Sequence, residues 1–331
     1  MLVGLNSISI ENQLIGRRNM FAGIIAGITW AVETTILGIA LAMAPFVKTE
    51  QAVFLAPFAS TFLHDTFSAI WSCIYNGVQG NLSGVAKAIK TKSGRFVSLA
   101  AIIGGPVGMT GYVLSVANMG ASIGAVASAI FPAIGAVLAY IFLKEKMQWY
   151  RWIFLILSLL GVYGLSYSPD INIKNFWMGF AGTIMCAFGW GIEAVIIAKS
   201  VQDDAVTDEI ALQIRQTTSA LVYGLIILPV VKGWGFTLSL FCGSGWLIPT
   251  IAVAALFATV SYLFYYKAIS QIGASKSMAL NVTYSAWAVI ISIIFLRNYS
   301  LLNPVTIVCT FSVILFGILT GTDYRDLVKK N

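Results

Sequence analysis

Charge is scarce in this chain. Asp, Glu, Lys and Arg make up 10% of its 331 residues, hydrophobic types make up 58%, and the mean hydropathy is +0.86. Soluble domains carry about 25% charged residues, so a water-soluble globule is excluded. Histidine occurs once, at His64, which rules out a histidine-rich metal hydrolase. The four cysteines (Cys73, Cys186, Cys242, Cys309) are scattered with no CxxC spacing, which points to neither redox chemistry nor a metal site. No GxxxxGK[ST] loop is present, so the chain brings no phosphate-binding loop of its own. No nucleophile–base constellation stands out either. The sequence therefore reads as neither an enzyme nor a cofactor protein.

Apolar runs long enough to cross a bilayer, about 20 residues each as helix, are abundant. Ten are read: 20–44, 52–76, 95–117, 120–143, 150–168, 176–198, 208–231, 246–268, 273–296 and 302–321. Backbone groups in lipid must be satisfied internally, so only helices or closed barrels span, and the short alternating segments of a barrel are missing. The expectation is an all-α integral membrane protein with ten transmembrane helices. The net charge of +7 follows the positive-inside rule rather than a nucleic-acid surface. With the N-terminus in the cytoplasm, inner loops hold thirteen Lys and Arg and outer loops four. Both termini are then cytoplasmic, in a plasma membrane. Arg17-Arg18 reads as the cytoplasmic anchor of an uncleaved first span.

The chain also repeats itself. Gly120-Ala121-Ser122 opens a run ending Ile141-Phe142-Leu143-Lys144, and Gly273-Ala274-Ser275 opens one ending Ile294-Phe295-Leu296-Arg297. Trp30-Ala31-Val32-Glu33 matches Trp190-Gly191-Ile192-Glu193, 160 positions later. Five helices per half is an odd number, so the second half enters the membrane upside down. That is a 5+5 inverted repeat, as in transporters that alternate access around a midplane site. The halves are 1–168 and 169–331, joined at Ser166-Tyr167-Ser168-Pro169-Asp170.

A carboxylate deep in an apolar run is a functional-site candidate by default. Glu33 and Glu193 each sit one helical turn from a Trp, which suggests a pocket for a small organic cation. An ion pair between Glu193 and Arg215 is the competing structural reading. His64 and Asp65 lie midway along the second run, and Glu33, His64, Asp65 and Glu193 are the proton-coupling candidates. Helix neighbours point ~100° apart, so His64 and Asp65 are not expected to face one pocket. Asn281, Tyr284 and Trp287 form a stripe on one helical face. Gly104-Gly105-Pro106-Val107-Gly108 is expected to kink the third span.

The span 120–143 followed by Lys144-Glu145-Lys146 resembles the EamA-type repeat of the drug/metabolite transporter superfamily. Gly105-Pro106-Val107-Gly108-Met109, Ile130-Phe131-Pro132-Ala133-Ile134, Trp190-Gly191-Ile192-Glu193, Ile214-Arg215-Gln216 and Asn281-Val282-Thr283-Tyr284-Ser285-Ala286-Trp287 resemble the Lic-type bacterial choline permeases more narrowly. That resemblance implies a choline in an aromatic box. Trp30, Trp190, Tyr284 and Trp287 would form the walls, Glu193 the anionic partner and Asn281 a polar support. Glu33 would be an additional carboxylate. The reading is a secondary transporter importing choline or a similar quaternary amine, possible proton coupling included. The alternative on the same fold is an exporter of amino acids or small metabolites.

Overall fold

A computed structural model describes residues 2–120, 129–167, 173–243 and 245–322, with side chains from residue 20 onward in the first stretch. The described residues are helical, without a strand. Nine helices among them are long and apolar enough to span a membrane, and a tenth apolar helix is shorter. They are α1 (Met20–Leu41), α2 (Glu50–Val78), α3 (Lys92–Met119), α4 (Phe131–Leu143), α5 (Trp149–Ser166), α6 (Phe176–Ser200), α7 (Asp208–Val230), α8 (Leu247–Ile272), α9 (Ala274–Ile294) and α10 (Pro304–Gly321). α4 is the shorter one, and part of the run expected over 120–143 lies outside the described residues. So do most of the expected junction, the Arg17-Arg18 side chains and the C-terminal basic residues.

Local chemistry sets the helix starts. Thr49, Thr91 and Thr207 are N-caps whose hydroxyls accept from the backbone N–H three residues on, at 3.0, 3.0 and 3.4 Å. Asn175 and Asn303 do the same for α6 and α10, at 3.1 and 3.0 Å. Each satisfies one of the N–H groups that a helix leaves orphaned at its first turn. Helix ends repeat between the halves. Gly120 and Gly273 close α3 and α8 at φ 90° and 89°, a conformation that a Cβ disfavours. Lys144 and Arg297 follow α4 and α9 in the left-handed region, at φ 58° and 54°.

Packing repeats as well. α1 lies along α8 as α6 lies along α3, α7 packs against α2 and α10 against α5, and α4 and α9 pack on α6 and α1. Lipid supplies no hydrophobic drive between helices, so close approach and hydroxyl bonds hold them together. Ser261 Oγ donates to the Ala26 carbonyl at 2.8 Å, and Ser68 and Thr259 share a hydrogen bond of 2.7 Å. Ser115 and Thr183 bond at 3.0 Å between α3 and α6. Gly23 and Gly27 let α1 settle on Leu280 and Thr283 of α9.

Two irregularities bear on the site. Residues Ile103–Val107 of α3 form a π-helical turn around Pro106, where the sequence places its kink. Such turns recur at functional sites because they re-aim groups and free carbonyls. α9 is interrupted at Val282–Thr283, splitting it into Ala274–Asn281 and Tyr284–Ile294.

Candidate functional site

The middle of the bundle encloses a cavity of about 140 Å³. An apolar cavity of about 150 Å³ holds a benzene-sized molecule, so this one suits a ligand of six to eight heavy atoms. Helices of both halves line it. α1 supplies Trp30 and Glu33, α2 His64 and Asp65, and α3 the Gly104-Gly105 turn. From the second half come Trp190 and Glu193 of α6, Arg215 of α7, Tyr262, Tyr265 and Tyr266 of α8, and Asn281 and Tyr284 of α9.

The aromatic part consists of two clusters. Trp30 meets Tyr262 edge-on with ring centroids 5.0 Å apart, and Tyr284 at 6.3 Å. Trp190 meets Phe131 edge-on at 5.8 Å and stacks on Tyr112 at 6.3 Å. Trp190 is further fixed by its indole N–H, which donates to the Gly104 carbonyl at 2.9 Å. That carbonyl belongs to the π-turn. A methyl at Gly104 would run into the Glu193 carboxylate, and one at Gly108 would touch the Trp190 ring. Glycine there lets α3 approach α6 closely enough to seat both.

The charged part is a continuous buried chain. His64 Nε2 lies 3.3 Å from Glu33 Oε1, and His64 Nδ1 bonds Asp65 Oδ1 at 3.0 Å. Asp65 Oδ2 accepts from Ser219 Oγ at 2.5 Å and lies 3.6 Å from Arg215 Nη1. Arg215 Nε donates to Glu193 Oε1 at 2.8 Å, and Nη1 donates to Gln216 Oε1 at 2.8 Å. The guanidinium also lies 4.8 Å from the centre of the Tyr262 ring. All five ionisable residues are less than a tenth exposed. Buried charges persist when they are paired, and each has a partner here. With the carboxylates and Arg215 charged and His64 neutral, the cluster carries two negative charges in excess. A proton on His64 and one bound monovalent cation would balance it.

Seven residues stood as substrate contacts in the sequence. Trp30, Glu33, Trp190, Glu193, Asn281 and Tyr284 line the cavity, and Trp287 is not among its lining residues. The interruption at Val282–Thr283 re-aims the helix after Asn281, so the stripe does not continue regularly. His64 and Asp65 both line the cavity, contrary to the single-pocket argument. The cavity wraps a wide arc of α2, and Asp65 is drawn towards α7 by Ser219 and Arg215. Arg215 engages Glu193, the partner read from the sequence, and Asp65 as well. The tyrosines of α8 went unread. Their signal was Tyr262, Tyr265 and Tyr266 at i, i+3 and i+4 deep inside an apolar span, one face of a helix. Among the described residues, three polar atoms at the wall, Asn281 Oδ1, Tyr266 Oη and His64 Nε2, are buried without a hydrogen-bond partner, the last with only the 3.3 Å approach of Glu33.

Residues 17–167 match the EamA-like transporter family. Protein LicB of Haemophilus influenzae is 29% identical over 235 residues, 70% of this chain and 76% of that protein. A solved crystal structure superposes with a TM-score of 0.65 over 95% of this chain and 99% of its own, at 12% identity. At that identity the likeness bears on fold alone. The resemblance to EamA-type and Lic-type proteins read from the motifs is borne out.

Proposed function

We propose that this chain, a multi-pass membrane protein with an EamA-like transporter region, imports choline or a similar quaternary amine. The EamA-like family is one of small-molecule transporters rather than enzymes. The observation that carries the finer reading is the central cavity itself. It brings a Trp and a carboxylate from each half together with a ring of tyrosines. A quaternary ammonium has no N–H to donate, so ring faces and a diffuse negative field recognise it. The hydroxyl of choline would donate to Asn281 Oδ1, which has no hydrogen-bond partner among the described residues. A monovalent cation is drawn inward by a negative-inside potential, about 2.3 kcal/mol per charge per 100 mV.

The architecture we assign is a ten-helix 5+5 inverted repeat in the plasma membrane, halves 1–168 and 169–331, both termini cytoplasmic. The matched helix ends and the matched packing of α1 on α8 and α6 on α3 support it. Proton coupling is part of the proposal. Glu33, His64, Asp65 and Glu193 form the chain along which a proton would be held, with the His64 imidazole between two carboxylates.

Thermal stability of the detergent-solubilised protein tests the substrate class, because a ligand that binds the folded state raises Tm with concentration. Choline is expected to shift Tm, while betaine, ethanolamine, tryptophan and threonine have little effect. The alternative, an exporter of amino acids, has one observation in its favour: Arg215 is a carboxylate-binding group at the cavity wall. A larger shift with an amino acid would favour it and refute the choline reading.

A further inference from the structure

A second concave feature lies outside the transport cavity, on the opposite face of α6. The N-terminal end of α3 and the C-terminal ends of α4 and α6 leave a groove of about 770 Å³. Phe96, Phe142, Phe188 and Ile192 make its walls, and Lys92 and Lys199 stand among its lining residues. Phe96, Phe142 and Phe188 are all exposed, so the groove opens towards the bilayer. Its length is informative. Phe188 to Lys199 is eleven residues of helix, ~16 Å at 1.5 Å per residue, about half of a ~30 Å hydrocarbon core. The groove thus runs from the polar boundary to the midplane, the depth of a single leaflet.

Its polar end is basic. Lys90, Lys92 and Arg95 line an adjoining hollow, and among the described residues none of these three, nor Lys199, takes part in an ion pair. Lys92 Nζ lies 5.9 Å from the centre of the Phe96 ring, and Lys199 Nζ donates to Gln202 Oε1 at 3.0 Å. The acid nearby is Asp203. It accepts from Ser93 Oγ at 2.7 Å and from the Ala205 N–H at 3.0 Å. Those bonds hold its carboxyl below the usual carboxylate range, so it is an anion, already engaged on the loop side. Basic pockets between transmembrane helices suit acidic headgroups, and a zwitterionic lipid would bring its own ammonium against the lysines.

We propose that this groove is a binding site for one anionic phospholipid. Its phosphate lies between Lys92 and Lys199, and one acyl chain lies along Phe188 and Ile192. The site is independent of the substrate reading.

Native mass spectrometry of the full chain in neutral detergent tests it, with phosphatidylglycerol or phosphatidylcholine added. One phosphatidylglycerol adduct is expected to survive activation that strips phosphatidylcholine. Lys92→Gln and Lys199→Gln should each weaken that adduct about fivefold, the contribution of one basic residue at a lipid surface. Ile196→Trp, which fills the groove and keeps the lysines, should remove it and serves as the test if the lysine variants do not fold. Equal retention of both lipids, or an unchanged adduct in the variants, would overturn the site. So would stabilisation by inorganic phosphate equal to that by phosphatidylglycerol.

Discussion

The two Trp–Glu motifs share spacing and depth, yet their carboxylates have different partners. In the first half Glu33 on α1 faces His64 on α2 at 3.3 Å, and in the second Glu193 on α6 faces Arg215 on α7 at 2.8 Å. The arrangement is the same, an acid on the first helix and a base on the second. The bases differ in what they do with a proton. A guanidinium stays charged at any physiological pH, while an imidazole can give up or take a proton. The second half therefore holds a fixed ion pair and the first a switchable one. The aromatic walls repeat too. Trp30 edges Tyr284, and Trp190 edges Phe131, which occupies the same register in the first half. One frame thus carries two chemistries, and variants that equalise the halves test the division of labour.

Breaking the fixed pair should have the largest effect. Glu193→Gln leaves Arg215 buried with Asp65 at 3.6 Å as its remaining carboxylate. Removing one partner of a buried pair costs about 3–5 kcal/mol, so a lower Tm and loss of the choline-induced shift are expected. The double variant Glu193→Gln/Arg215→Gln should recover much of the Tm without recovering the choline shift. A wild-type choline response in Glu193→Gln would remove that residue from the site.

Making the first half resemble the second comes next. His64→Arg replaces a switchable base by a permanent one. Uptake into proteoliposomes should then stop responding to an imposed pH gradient, while choline still raises Tm. If uptake by the wild-type protein ignores the pH gradient, the coupling assignment fails.

The two indoles provide a smaller contrast. Trp190 is bonded to the Gly104 carbonyl, and Trp30 is held by ring contacts. A cation–π contact contributes about 0.5–2 kcal/mol. Trp30→Phe keeps a ring face and should weaken choline by about threefold or less. Trp190→Phe also abandons the π-turn, and its loss should be several times greater in a titration of Tm against choline. Equal losses would mean that the bond to Gly104 does not position the ring.

The spans were legible because lipid imposes one demand on every segment, about 20 apolar residues in helix. The Trp–Glu pairs were legible because charge is conspicuous against that background. The Gly-Pro kink was legible as a break, though not as a π-turn whose carbonyl would fix Trp190. Tyr262, Tyr265 and Tyr266 were not, since a tyrosine in an apolar run reads as packing until its neighbours across the bundle are known. The joint exposure of His64 and Asp65 to one cavity was missed for a related reason. A helical wheel gives directions on α2 but not the arc that the cavity occupies, which Arg215 and Ser219 of α7 help to set.

The smallest expected effect separates the two ends of the ligand. Asn281 lines the cavity with Oδ1 buried and without a hydrogen-bond partner among the described residues, and its register counterpart in the first half, Ser128, lies outside those residues. If the aromatic cage reads the ammonium and Asn281 reads the hydroxyl, the two contributions separate. A neutral hydrogen bond is worth about 1 kcal/mol, so Asn281→Ala should weaken choline about fivefold. Tetramethylammonium, which has the charged head without the hydroxyl, should bind the variant as it binds the wild type. Equal weakening of both ligands would place Asn281 in the scaffold of α9, where the helix is interrupted, rather than against the substrate. Unchanged binding of both would leave the cage and the carboxylates as the whole of the recognition.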